Sequence, residues 1–247
     1  MQEELAVAEG GAPLSQVERV VDTFVAPSKT FMDVRRSASW WLPFILLCLC
    51  SYGLAFGIAQ KVGWSQLVEN TLSENPKSAE RMANSSPEQA AATRKFMAYS
   101  FKVPFYVNPI TNVIFIAIFA LALWATINFG FGGKATFGQV FCVTTYAFLI
   151  SCIKTLLAVV VLYTGKASES FTMDSMVGTS PGYYIDTPGV LKTLLTSFDV
   201  FTIWMMIVLG IGLAIVARTK RNSGLIAVFG WWILIVLLKV GYAAATS

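Results

Sequence analysis

Residues 197–217 read SFDVFTIWMMIVLGIGLAIVA, an almost wholly apolar run that carries one carboxylate, Asp199, near its start. At ~1.5 Å per residue a run of this length crosses a hydrocarbon core ~30 Å thick. Four more apolar runs occur, at residues 40–59, 109–131, 137–163 and 225–244, and the run holding Asp199 is entered from about residue 191. Five such runs predict an all-α, polytopic integral membrane protein with a five-helix transmembrane bundle. Only 13% of the 247 residues are charged, about half the ~25% of soluble domains. That is too little polar surface to keep a globule of this size in water.

Composition also excludes chemistry. The chain has no histidine, which removes Ser-His-Asp and Cys-His catalysis and most histidine-based metal sites. Its net charge of +4, from 18 basic and 14 acidic residues, is too mild to suggest a nucleic-acid partner. Cys48, Cys50, Cys142 and Cys152 all fall within apolar runs. They read as small apolar fillers, neither a disulfide framework nor a metal site. Nothing in the pattern calls for a cofactor.

Outside the spans the chain is uneven. Residues 1–13 are acidic and small and read as a loose tail. The first 39 residues lack the apolar core and cleavage site of a signal peptide. Residues 14–39 read as amphipathic helices. Ser15 and Glu18 stand in capping-box spacing, and Val17, Val20, Val21, Phe24 and Val25 recur at helical steps with Glu18, Arg19 and Asp22 off that stripe. Pro27 ends this helix. A second short one follows, with Phe31 and Val34 on one side and Lys29, Arg35 and Arg36 on the other. Together they predict an element at the headgroup level, or one packed on the ends of the spans.

The membrane domain then covers residues 40–244 and holds a helical polar loop at 60–108. In it, Ser86 caps a helix that Pro87 opens and that runs to about Lys102. Met97, Phe101, Phe105 and Tyr106 give that helix an apolar end. The 164–188 loop, rich in Gly, Ser and Thr, has room for a short hairpin.

Orientation follows from the short loops, which weigh most in the positive-inside rule. Arg218, Lys220 and Arg221 occupy one tight turn and Lys134 the other, on the side that also holds Lys29, Arg35 and Arg36. The amino terminus is therefore expected in the cytosol and the carboxyl terminus on the far side. With that topology Asp199, Lys154 and Lys239 all lie in the outer half of the membrane, Lys154 ~14 Å deep. An unpaired charge near mid-bilayer costs at least ~2.5–3.5 kcal/mol. Asp199 is therefore expected to pair with Lys154, or alternatively with Lys239. The bland reading is a lock between spans; the sharper one is an ion or proton relay. Gly53, Gly57, Gly210 and Gly212 are spaced for close helix approach.

Particular stretches resemble the Yip-domain family, membrane proteins first met as partners of Ypt/Rab GTPases. They are Phe24-x-x-Pro27-x-x-x-Phe31 ahead of Ser39-Trp40-Trp41-Leu42-Pro43, and Gly132-Gly133-Lys134-Ala135-Thr136-Phe137-Gly138-Gln139 ahead of Thr145-Tyr146-Ala147. The third is Ser197-Phe198-Asp199-x-Phe201-x-x-Trp204 followed by Gly210-x-Gly212. The resemblance covers about residues 20–245 and implies five spans, a cytosolic amino terminus and no enzymatic activity. The eukaryotic members' Asp-Leu-Tyr-Gly-Pro signature and long cytosolic region are missing. The chain looks more like the prokaryotic branch, and Rab binding is not carried over.

The expected function is a non-enzymatic, membrane-organising or partner-binding scaffold in the plasma (inner) membrane, or an endomembrane if eukaryotic. Its partners would be the bilayer with other proteins or a second copy. The alternative is a small transporter, channel or lipid-handling protein that uses the Asp199/Lys154 pair. No catalytic residue is assigned.

Overall fold

In lipid every backbone N–H and C=O must find its partner within the protein, and a helix does this inside its own segment. A computed structural model describes residues 12–74, 76–164, 170–174, 176–185 and 189–246. Its regular structure is helical, with no strand among the described residues.

The helices are α1 (Gln16–Val25), α2 (Pro27–Val34), α3 (Trp41–Lys61), α4 (Trp64–Ser73), α5 (Pro76–Ala83), α6 (Pro87–Tyr106), α7 (Asn108–Ala125), α8 (Phe137–Thr164), α9 (Val190–Thr196), α10 (Val200–Ala217) and α11 (Arg221–Thr246). A π-helical turn, Thr126–Gly130, extends α7. Five of these elements are long and apolar enough to cross a membrane: α3, α7 with its π turn, α8, α10 and α11.

One boundary differs in kind from the sequence reading. The run from residue 191 is not one helix. α9 ends at Thr196, and α10 starts only at Val200, so Asp199 sits just before the first residue of the span. The 176–185 loop packs at the break. Gly182, in the 3₁₀ turn Pro181–Tyr184, lies so close to Thr196 that a Cβ there would collide with its backbone nitrogen and hydroxyl. The Val200 amide donates to the Thr179 carbonyl at 3.2 Å, which holds the start of α10 to the same loop. That loop forms the 3₁₀ turn where a hairpin had been expected; residues 165–169, 175 and 186–188 of it lie outside the described residues.

The described chain forms two units. The first takes the residues up to Cys48 with Asn112–Ser151 and Thr202–Leu234; the second takes Leu49–Thr111, Cys152–Phe201 and the residues from Ile235 on.

In the first unit the tight turn after α7 is tied down at several points. The Asn128 side chain both accepts from the Ala135 amide and donates to the Ala135 carbonyl, at 3.0 and 2.9 Å, and the Lys134 amide donates to the Ala217 carbonyl. α10 and α11 approach as a close hairpin. A Cβ on Gly210 would lie 2.7 Å from Leu225 Cδ2, and one on Gly224 would strike the Gly210 carbonyl. Gly224 drew no notice in the sequence.

In the second unit Leu54, Ile58, Leu67, Ala158, Leu162 and Phe171 form a buried core, with Phe101 and Phe105 of α6 against it. Val68, Leu72, Met82 and Ala90 join α4, α5 and α6 in a smaller one. Ser86 and Gln89 form a reciprocal capping box at the start of α6. The Asn70 amide donates across the unit to the Phe171 carbonyl at 2.9 Å.

The glycines divide. Gly57 is packed, its would-be Cβ 3.3 Å from Leu162 Cδ1, whereas Gly53 faces outward with nothing within 4 Å. Four positions apart, both lie on one side of α3, but only the Gly57 level has a neighbour, so Gly53 is not a packing residue. At Gly212 a Cβ would come 2.6 Å from Val143 Cγ1 and 2.8 Å from Phe31 Cδ2. Gly212→Ala is therefore expected to overpack the site and lower stability by ~1–3 kcal/mol. Gly53→Ala should be neutral or slightly stabilising, as expected for a helix interior. Paired melting curves in detergent check this: equal melting temperatures for the two variants would contradict the assigned packing.

Candidate functional site

Two buried charge pairs organise the polar interior, one in each unit. In the first unit α1 and α2 form a helical hairpin about Pro27, whose fixed φ suits the first position of α2. Ser15 caps α1 and Glu18 reaches back to the Ser15 amide at 2.7 Å. That amide, and then the Ser15 hydroxyl, hold the Glu18 carboxyl below its ordinary range.

The face α1 turns inward is the polar one. Arg19 is 3% exposed and its Nε donates to Asp33 Oδ2 at 2.6 Å; its Nη1 donates to the Ser37 carbonyl at 2.9 Å. The Thr23 and Thr30 hydroxyls both donate to the Arg19 carbonyl. The valines of the apolar stripe point outward, with Val17 at 66%, Val21 at 54% and Val25 at 75% exposure. Sequence reasoning placed Arg19 correctly off the stripe but did not see that its side is the buried one.

Residues from the three family-like stretches converge on this hairpin. Phe24 meets Trp204 edge-on, ring centroids 6.1 Å apart. Phe31, wholly buried, fills the groove that Gly212 leaves open beside Val143. Gln139 Nε2 donates to the Arg35 carbonyl, and the Tyr146 hydroxyl donates to Gln16 Oε1 at 3.2 Å. Tyr146 lies about nine residues into α8 and Trp204 about 13 residues from the Ala217 end of α10, or ~14 and ~20 Å along those helices. The hairpin thus packs beside α8 and α10 over part of their length.

All five charged side chains of the hairpin have partners: Glu18 with the Ser15 amide, Arg19 with Asp33, and Asp22 with Lys29 at 3.0 Å.

In the second unit Lys154 Nζ stands 3.0 Å from Asp199 Oδ2, with side-chain exposures of 19% and 5%. The Thr179 hydroxyl donates to the same oxygen. At the first turn of α10 a carboxylate also faces the positive end of the helix dipole. Lys239, the alternative partner in the sequence reading, stands exposed on α11. The acid is therefore at the entry to the span and not inside it. Among the described residues, no group of three His, Cys, Asp or Glu side chains is placed to hold a metal, and the four cysteines are free thiols.

The Arg19–Asp33 pair went unnoticed in the sequence because its partners belong to different short helices, 14 residues apart. The available signal was the Gln16, Arg19, Thr23 spacing, one polar face set opposite the valines.

Five long apolar helices define a polytopic α-helical membrane protein. The Yip1 domain model matches residues 21–242. The chain belongs to that family. It is similar to "Membrane protein YknW" of Bacillus subtilis (strain 168), 23% identical over 239 residues that make up 96% of this chain and 92% of that protein. No solved structure matches it.

Proposed function

We propose that this Yip1-domain protein is a non-enzymatic, membrane-organising scaffold of the plasma membrane, with its amino terminus and both tight turns in the cytosol. The observation that carries the reading is the α1–α2 hairpin. It presents Val17, Val21 and Val25 outward while its polar face is closed against the spans. Such an element occupies area in one leaflet only and acts as a wedge there. The basic residues of the short loops support the cytosolic side for it. Family membership supports the absence of enzymatic activity. The Asp199 pair, closed by both Lys154 and Thr179, supports a lock between spans in preference to an ion path.

Full-length protein reconstituted into liposomes is expected to narrow or tubulate them, as seen by electron microscopy. Val17→Ser/Val21→Ser/Val25→Ser should lose that effect while still inserting. Deformation unchanged in the triple variant and in a chain lacking residues 1–36 would remove the hairpin from the function.

A further inference from the structure

α6 leaves its outer face uncovered. Phe96 is 72% exposed, Tyr99 63%, Val103 47% and Tyr106 68%, at three- and four-residue steps along the helix. They form one stripe, opposite Met97, Phe101 and Phe105, which pack inward. The stripe does not stop at the end of α6. Ile110, 63% exposed, continues it onto the first turn of α7.

Its depth is fixed by what lies on the other side of the helix. Phe101 and Phe105 pack against the core of Leu54, Ile58, Leu67, Ala158, Leu162 and Phe171, which takes in the last turns of α3 and α8. The second half of α6 therefore lies beside the ends of spans, at the level where tyrosine and other aromatic rings concentrate in membranes.

Two lysines complete the surface. Lys95 and Lys102 are two helical turns apart, ~10 Å, on the same flank of the stripe. Lys102 Nζ lies 5.4 Å from the centre of the Tyr106 ring. Arg94, by contrast, is engaged by Glu69 of α4 at 2.7 Å. After Glu88, α6 carries no carboxylate. Lysine stems can lie along the aromatic stripe while their ammonium groups reach the phosphate level.

We infer that the outer face of α6 is a headgroup-level docking surface for anionic phospholipid, with Phe96, Tyr99, Val103 and Tyr106 seated in the interface and Lys95 and Lys102 on the lipid phosphates. The surface is independent of the α1–α2 hairpin and stands or falls without it.

The test uses full-length protein in nanodiscs of phosphatidylcholine alone or mixed with phosphatidylglycerol. Lysines are acetylated with a water-soluble reagent and mapped by peptide mass spectrometry against a free lysine peptide. Acetylation of Lys95 and Lys102 is expected to be roughly three- to ten-fold slower with phosphatidylglycerol, in line with the attraction of a lysine to an anionic surface. Phe96→Ser/Tyr99→Ser/Tyr106→Ser, all at exposed positions, should erase the difference without changing the melting temperature. Equal rates in the two discs would overturn the proposal, as would protection that survives in the triple variant. Equal protection by inorganic phosphate in phosphatidylcholine discs would assign the lysines to a free anion and overturn the lipid reading.

Discussion

Asp33→Ala should release the amino-terminal hairpin from the spans. Its carboxylate is the partner of Arg19, and the two side chains are 7% and 3% exposed. Removing one member of a buried pair leaves an uncompensated charge and costs ~3–5 kcal/mol. Each 1.4 kcal/mol is a factor of ten, so the undocked population should rise by roughly 10²–10³-fold. Hydrogen exchange across residues 15–37 in detergent or nanodiscs reads this directly. Arg19→Ala should do the same, because it strands Asp33 and also deprives the Ser37 carbonyl of its donor.

The double variant Arg19→Met/Asp33→Leu separates charge stranding from loss of packing. A well-filled apolar pair often replaces a buried ion pair at little cost, so protection of α1 should largely return. Exchange in the single variants that matched the wild type would show that the pair does not hold the hairpin.

The second large effect is expected at Asp199. Asp199→Ala takes the counter-charge from Lys154 and the acceptor from Thr179 at once. Lys154 is 19% exposed at its side chain, so its ammonium can reach some solvent or headgroups, and the loss should fall at or below the ~3 kcal/mol lower bound for a fully buried pair. The measurable consequence is a lower melting temperature together with loosening of the 176–185 loop, because Thr179 ties that loop to the start of α10. Asp199→Asn keeps the shape and an acceptor for Thr179 and should lose less. If Lys154→Met/Asp199→Leu were less stable than Asp199→Ala, the pair would be contributing something other than charge compensation.

Much of the architecture was legible in the chain. Five apolar runs marked the five long apolar helices, because lipid admits only segments that satisfy their own backbone. The Ser15/Glu18 capping box and the Ser86 cap marked helix starts that the structure reproduces, the second with Gln89 as its reciprocal partner, since a cap is a local interaction of side chain and backbone four residues long. The pairing of depth between Asp199 and Lys154 could be guessed from length alone. The exact place of Asp199 could not. Residues 191–217 are apolar enough for one helix, and the partners that flank the interruption at 197–199, Gly182 and Thr179, lie outside that run.

The amino-terminal hairpin shows the other limit. Periodicity found its two faces but could not say which one is buried, because the apolar stripe of an amphipathic helix can face either protein or lipid. Only the contacts with Tyr146, Trp204 and Gly212 settle the direction. They also give the family-like stretches a common physical purpose: one buries Phe31, one supplies the Gly212 groove and Trp204, and one carries Gln139 and Tyr146. The sequence by itself determined that this is a helical membrane protein with five spans, since hydropathy, length and caps are local properties. The tertiary structure decided which charges meet, which glycines are in contact, and that the acid of the fourth span stands at its entrance, because these depend on neighbours far apart in the chain.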